Sequence, residues 1–338
     1  MTINETRTET MRAAAFHRFG GPQEVALERV TRPVPASHEV LVRVHYASVS
    51  IADHRVRARD VPRGLKLPVT AALGWRTPKH PVLGMDASGV VEQVGADVTD
   101  FAPGDRVVLL RGARFGCHAE FVTVRAAGSI ARIPDELSLQ DAATVPFGFG
   151  TARTFLDTAG VAPGQKVLVN GASGAVGSAA VQLAVRAGAI VTGVTSARNA
   201  EIVRGLGATD VVDYARADFT DAGPVYDIVV ECVGNAPYAR SRRAIVPGGA
   251  LLLVITDLVG MTGAKLRPVR GGIRRIESVG VITGAMLGDL AARMAAGEIQ
   301  PVLDRVFEFD DIRAAHEYVD TGRKRGTVLV RIGQSPSV

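Results

Sequence analysis

The stretch KVLVNGASGAVGSAAVQLA, residues 166–184, constrains the fold more than any other part of this chain. An apolar run of strand length meets Gly171, Gly174 and Gly177 and then passes into an amphipathic helical pattern. Glycines at such a junction let the backbone turn sharply and approach a pyrophosphate, whose charge is met by free N–H groups and the positive end of the helix. Ser173, Gly174, Ala175 and Val176 are therefore candidate phosphate contacts, the alternative being a tight turn with no ligand.

The surroundings fit a dinucleotide. From about residue 138, strand-like KVLVN, IVTGVT, DVVDY, YDIVVECV and ALLLVI alternate with helical segments, which implies a parallel sheet covered by helices on both faces. The second strand should end about 20 residues beyond the glycines, where an NAD-binding chain carries Asp or Glu for the ribose 2′-hydroxyl. Residues 191–201, VTGVTSARNAE, instead offer Thr195, Ser196 and Arg198, with no acid before Glu201 in the next helix. Two hydroxyls and a guanidinium suit a 2′-phosphate, so the expected cofactor is NADPH. In the competing account Ser196 caps a helix and Arg198 lies in solvent.

Residues 11–130 have a different texture. EVLVRVHYASVS, SGVVEQVG, GDRVVLL and AEFVTV are short alternating or apolar runs between Gly and Pro turns, which predicts an antiparallel, partly barrel-like domain. With 338 residues, 47% of them hydrophobic, the chain is long enough for two packed cores. The last strand, GTVLVRI, most simply returns to the first domain and makes it discontinuous.

The net charge of +5 is concentrated at arginines 55, 57, 59 and 63 and at 267, 270, 274 and 275. A solvated face, a mouth for an anionic ligand and a nucleic-acid surface are the three accounts of such clusters. The last needs interleaved aromatic groups, and only Trp75 lies near the first cluster, so no nucleic-acid partner is expected. Cys117 and Cys232 are the only cysteines, which excludes a disulfide framework and a four-cysteine zinc lobe and suits a cytoplasmic setting. The polar opening MTINETRTET and the lack of a long apolar run predict neither a signal peptide nor a membrane span.

The segments LGMDASGVVEQVG, FAPGDRVV, NGASGAVGSAAVQLA, VRGLGATDVVDY, YDIVVECVG, PGGALLLV and GRKRGTVLV occur in the order of the landmarks of a known family. The chain resembles the medium-chain dehydrogenase/reductases, in their zinc-independent, quinone oxidoreductase-like (zeta-crystallin-like) branch. The resemblance implies an α/β architecture: a GroES-like β domain of residues 1–137 and 285–338, a Rossmann domain of residues 138–284, and a site between them. It places Thr151 under the nicotinamide ring, although a helix N-terminal hydroxyl is the competing account. It also places Tyr214 by the adenosine, Val233 and Gly234 by the nicotinamide, and Lys324, Arg325 and Gly326 against the cofactor, and implies a homodimer through strands near 251–256 and 279–283.

In zinc-dependent relatives the catalytic ligands stand where this chain has Ser50, Met85 and a residue near Phe147, none of which makes a normal zinc bond. No metal is expected. Cys117 and His118, adjacent in what reads as a strand, point to opposite faces and do not restore a site.

Without a Lewis acid, the acceptor must already be activated by conjugation, as in a quinone or an α,β-unsaturated carbonyl compound. Ser50, Asp53 and His54 fall on one side of a short helical stretch and supply the candidate donors, Ser50 and His54 foremost. Ser50 and Asp53 equally form an N-capping pattern. The long connection 56–80 is expected to line the substrate mouth. An enoyl reductase acting on a carrier-linked, CoA-linked or polyketide-type acyl chain, and a non-catalytic NADPH-binding or nucleic-acid-binding protein, are the alternatives.

Overall fold

A computed structural model describes residues 9–60, 73–255, 272–277 and 280–333. Strands β1 (Thr10–Ala15) and β2 (Ala26–Thr31) form an antiparallel pair ahead of the main sheets. The long, buried β3 (Glu39–Val49) leads into helix α1 (Ile51–Ala58). β4 (Asp86–Val94), β5 (Arg106–Leu110), β6 (Phe121–Arg125) and β7 (Ile130–Arg132) complete the antiparallel part of a seven-stranded sheet in which β3 pairs with both β4 and β6. Inward valines of β3, β4, β5 and β6 pack on one another, as alternation in an antiparallel sheet requires.

Helix α2 (Thr151–Ala159) opens the second half. There β8 (Lys166–Asn170), helix α3 (Ala175–Arg186), β9 (Ile190–Thr195), β10 (Asp210–Asp213), β11 (Tyr226–Glu231), β12 (Ile245–Leu253) and β13 (Arg274–Ile276) form an all-parallel sheet in the order β10-β9-β8-β11-β12-β13. The order reverses between β8 and β11, and a crevice opens at the carboxyl ends of the strands where it does so. The molecule thus has a GroES-like β domain and a Rossmann-type parallel sheet.

The chain then returns. β14 (Leu303–Glu308), helix α4 (Ile312–Asp320) and β15 (Thr327–Arg331) follow, with β15 antiparallel to β3, so the last strands belong to the first sheet. Besides a core private to each sheet, one buried cluster runs from Tyr46, Val108 and Leu329 through Val145 and Phe149 into Val167, Ala180 and Val230. An apolar junction of this kind packs the two halves as one body.

Several details differ from the sequence reading. The first arginine stretch is not a solvated face: Arg57 is fully buried, Arg55 is half-buried, and Arg59 lies 3.5 Å from the Phe19 ring centroid and donates to Gly74 O. Arg63, Arg267 and Arg270 lie outside the described residues, as do residues 61–72 of the expected mouth loop and residues 256 and 279 of the expected dimer strands. Cys117 and His118 lie in an irregular segment, both fully buried, because Gly84 and its neighbours cross directly over them. Among the described residues, no helix is long and apolar enough to cross a membrane.

Candidate active site

A cavity of about 520 Å³ opens at the strand-order reversal. Its floor is the glycine loop. Gly171, at φ +81°, makes the turn out of β8, and Gly171 N and Ala172 N donate to Val194 O at 3.1 and 3.0 Å. A Cβ on Gly177 would stand 2.1 Å from Gly171 O, so only glycine lets α3 begin this close to the strand. Over Gly174 the nearest such contact is an ordinary 3.4 Å, which leaves the loop's outer face open.

At the end of β9, Ser173 Oγ accepts from Thr195 Oγ1 at 2.9 Å and from Asn199 Nδ2 at 3.1 Å. Ser196 Oγ and Asn199 Oδ1, both buried, have no partner, while Arg198 and Tyr214 stand exposed at the rim beside them. Buried polar atoms are rarely left without partners in a finished structure, so this corner has the character of a ligand site. Among the described residues, no Asp or Glu lines the cavity.

At the end of β11 a buried acid organises the opposite lip. Glu231 accepts from Val233 N at 2.9 Å, Gly234 N at 2.7 Å and Asn170 Nδ2 at 2.9 Å. Burial raises its carboxyl above the ordinary range, and these donors oppose that rise. The result is a fixed loop that presents Cys232, Val233 and Asn235 to the cavity. Burial also raises the Cys232 thiol, so it is no thiolate nucleophile at neutral pH.

The far wall comes from the first domain. α1 turns Ile51 and Arg55 to the cavity, and the segment after α4 adds Gly322, Arg323 and Lys324. Gly326 N donates to Ser173 O at 2.7 Å, which ties that segment to the glycine loop. Burial lowers the Lys324 ammonium to about 8, its Nζ donating to Gly326 O at 2.7 Å.

A second, water-sized cavity adjoins the first behind Phe147 and Lys324, lined also by Ser48, Ser50, Asp86 and Thr144. Ser50 caps α1: its Oγ accepts from Ala52 N and donates to Asp53 Oδ2 at 2.8 Å, and its N–H donates to the same oxygen at 2.8 Å. Asp53 Oδ1 accepts from Gly84 N at 2.8 Å. Asp86 accepts from Ser48 Oγ and from Phe147 N, and burial raises its carboxyl to about 7 against the pull of those donors. Met85 packs with Phe16, Leu83 and Phe115.

Of the residues singled out from sequence, Ser173, Gly174, Ala175, Val176, Thr195, Ser196, Arg198, Tyr214, Val233 and Lys324 line the large cavity together. Thr151, Gly234 and Arg325 do not. Thr151 begins α2, Gly234 N is bound to Glu231, and Arg325 N donates to Asp304 Oδ2 at 2.7 Å. Ser50 faces the smaller cavity. His54 lines neither: α1 turns it toward α4, where Nδ1 meets Asp320 Oδ1 at 2.8 Å, and Asp320 also binds the buried Arg57 at 2.7 Å. Sequence reasoning missed Ile51, Asn170, Asn199, Cys232, Asn235 and Arg323, and named Arg55 only within an arginine run for which a mouth for an anionic ligand was one of three accounts. Only the positions of Ile51 and Arg55, spaced by one helical turn, carried a usable signal.

Residues 36–135 match the alcohol dehydrogenase GroES-like domain, and residues 206–330 match a domain described as zinc-binding dehydrogenase. The chain is 30% identical to 2-methylene-furan-3-one reductase of Solanum lycopersicum, across 95% of this chain and 79% of that one. It is 27% identical to the quinone oxidoreductase of Homo sapiens, across 94% and 96% of the two chains. The solved structure of the quinone oxidoreductase from Coxiella burnetii superposes with a TM-score of 0.86 at 28% identity, across 96% of this chain and all 100% of that one.

Proposed function

The chain belongs to the medium-chain dehydrogenase/reductase family, in its quinone oxidoreductase-like branch, and from that premise we propose that it is an NADPH-dependent reductase of quinones or α,β-unsaturated carbonyl compounds that needs no metal ion. The observation that carries this reading is the corner at the end of β9, where Ser196 Oγ lacks a partner beside Arg198 and, among the described residues, no carboxylate lines the cavity. A free hydroxyl and a guanidinium without an acid beside them suit a 2′-phosphate.

When bound, NADPH supplies a hydride, two electrons and one hydrogen nucleus, and one proton from the medium completes reduction of the carbon–carbon double bond or quinone. The chain's own part is to hold and exclude. Gly174 and the N-terminus of α3 receive the pyrophosphate, and Val233, on the loop braced by Glu231, borders the nicotinamide half. Ile51, Phe147, Cys232 and Val319 form a largely apolar wall that keeps water from the reacting carbon.

The donors at the positions expected for zinc do not fit that ion. Ser50 is engaged by Asp53, Met85 is embedded among aromatic and aliphatic groups, and Phe147 offers no ligand atom. A saturated ketone would lack polarisation there, whereas a conjugated acceptor brings its own. Ser50 borders the smaller cavity but gives its hydroxyl hydrogen to Asp53, so its part is to hold the start of α1. His54 acts through Asp320 on the placement of α1. Assembly as a homodimer through the edge of the parallel sheet, expected near 251–256 and 279–283, belongs to the same reading, and light scattering at twice the chain mass checks it.

The test is cofactor oxidation with NADPH and NADH across quinones, enones, enoyl thioesters and saturated aldehydes. Quinones or enones with NADPH should lead. A preference for NADH overturns the cofactor assignment, and equally fast reduction of a saturated aldehyde overturns the metal-free, conjugated-acceptor assignment.

A further inference from the structure

Among the described residues, four cations line the large cavity, Arg55, Arg198, Arg323 and Lys324, and no acid does. Their positions divide them. Arg198 stands with Ser196 and Tyr214 at the end of β9, and Arg323 and Lys324 are held beside the glycine loop by the bond from Gly326 N to Ser173 O. Arg55 comes from the opposite wall, one helical turn beyond Ile51 on α1.

Its guanidinium has no hydrogen bond or ion pair among the described residues. Its neighbours on the chain do: Arg57 with Asp320 and Gly20 O, Arg59 with Gly74 O. The two acids whose charge Arg55 feels are Asp60 and Glu231. Both are engaged elsewhere, Asp60 at 3.5 Å from His54 Nε2 and Glu231 with the backbone of Val233 and Gly234. Arg55 stands with Ile51 on the α1 wall, whereas Ser196 and Arg198 form the corner at the end of β9. A half-buried guanidinium without a counter-ion bears a desolvation cost that an anion relieves, and its planar fork matches a carboxylate.

We propose that Arg55 selects an acceptor bearing a carboxylate close to its reducible double bond, so that the substrate class is an anionic enone or quinone. This rests on the reductase reading above and narrows it.

The experiment compares benzoylacrylate with its neutral methyl ester, using NADPH and wild-type, Arg55→Gln and Arg55→Lys proteins, with NADPH affinity measured separately by fluorescence. Wild type should favour the acid over the ester in kcat/KM. Arg55→Gln should lower the acid-to-ester ratio by roughly 10- to 100-fold, the worth of a charged hydrogen bond, and Arg55→Lys should restore part of it. An unchanged ratio in Arg55→Gln overturns the proposal, as does a loss of NADPH affinity that accounts for the whole effect. If wild type reduces the ester and neutral quinones as readily as the acid, the Arg55 assignment alone falls. If it reduces none of them, the reductase reading falls first.

Discussion

The two walls of the cavity are built on opposite plans. On the Rossmann side, polar atoms are positioned and left without partners: Ser196 Oγ, Asn199 Oδ1 and the open face over Gly174. On the GroES-like side, most polar groups behind the wall are bound to one another, Ser50 to Asp53, Asp53 to Gly84 N, Asp86 to Ser48 and Arg57 to Asp320, while the His316 ring nitrogens, away from the cavity, are the exception taken up below. The difference separates binding from support. Changes on the first wall should alter ligand affinity with little effect on stability, and changes behind the second should do the reverse.

The largest expected effect tests the supporting side. Arg57→Met leaves Gly20 O without its donor and Asp320 with His54 alone, and should cost about 3 kcal/mol of unfolding free energy in a urea titration. NADPH affinity should stay within twofold. Loss of affinity at unchanged stability would break the comparison. Next, the double substitution Ser196→Ala with Arg198→Gln should weaken NADPH binding by roughly 10- to 100-fold while leaving NADH binding and the melting temperature nearly unchanged.

Asp86 sharpens the contrast through pH. Its carboxyl titrates at about 7 in the fold because it is buried, against an ordinary 3.8. The native state therefore holds a proton that the unfolded chain has released, and the stabilising contribution present at low pH is lost as pH rises through about 7. Asp86→Asn should therefore gain about 1–2 kcal/mol relative to wild type between pH 5 and pH 8.5. A constant difference across that range would show that Asp86 ionises normally.

His316 has the opposite sign and the smallest effect. Burial first, and then the His118 ring, Arg57 and His54, lower its pKa well below the usual value, and neither ring nitrogen has a partner. The unfolded chain takes up a proton near pH 6.5 that the native state refuses, so stability is complete above that pH and declines as pH falls below it. His316→Phe should flatten this acid limb by up to about 1 kcal/mol at pH 5.5.

The sequence made the Rossmann wall legible because its chemistry is local. Strand, glycines, helix and the hydroxyls after β9 lie within one supersecondary unit, and their spacing carries their purpose. The other wall is assembled across the whole chain. Asp320 reaches His54 and Arg57 from 266 and 263 residues away, and no periodicity announces that meeting. His54 was legible as a histidine on α1, but which side of the helix faced the cavity depended on where α4 packs. The same packing turned an arginine run that reads as a solvated face into one buried ion pair and one cavity cation.

The buried bridge from Arg57 to Asp320 also bears on motion. It fastens α1 to α4, and the segment after α4 carries Arg323 and Lys324 to the cofactor groove while α1 carries Ile51 and Arg55. The two substrate-side edges therefore travel as a single jaw. Any opening of the cleft must hinge outside that pair of helices, and tightening around a ligand at one edge brings the other with it.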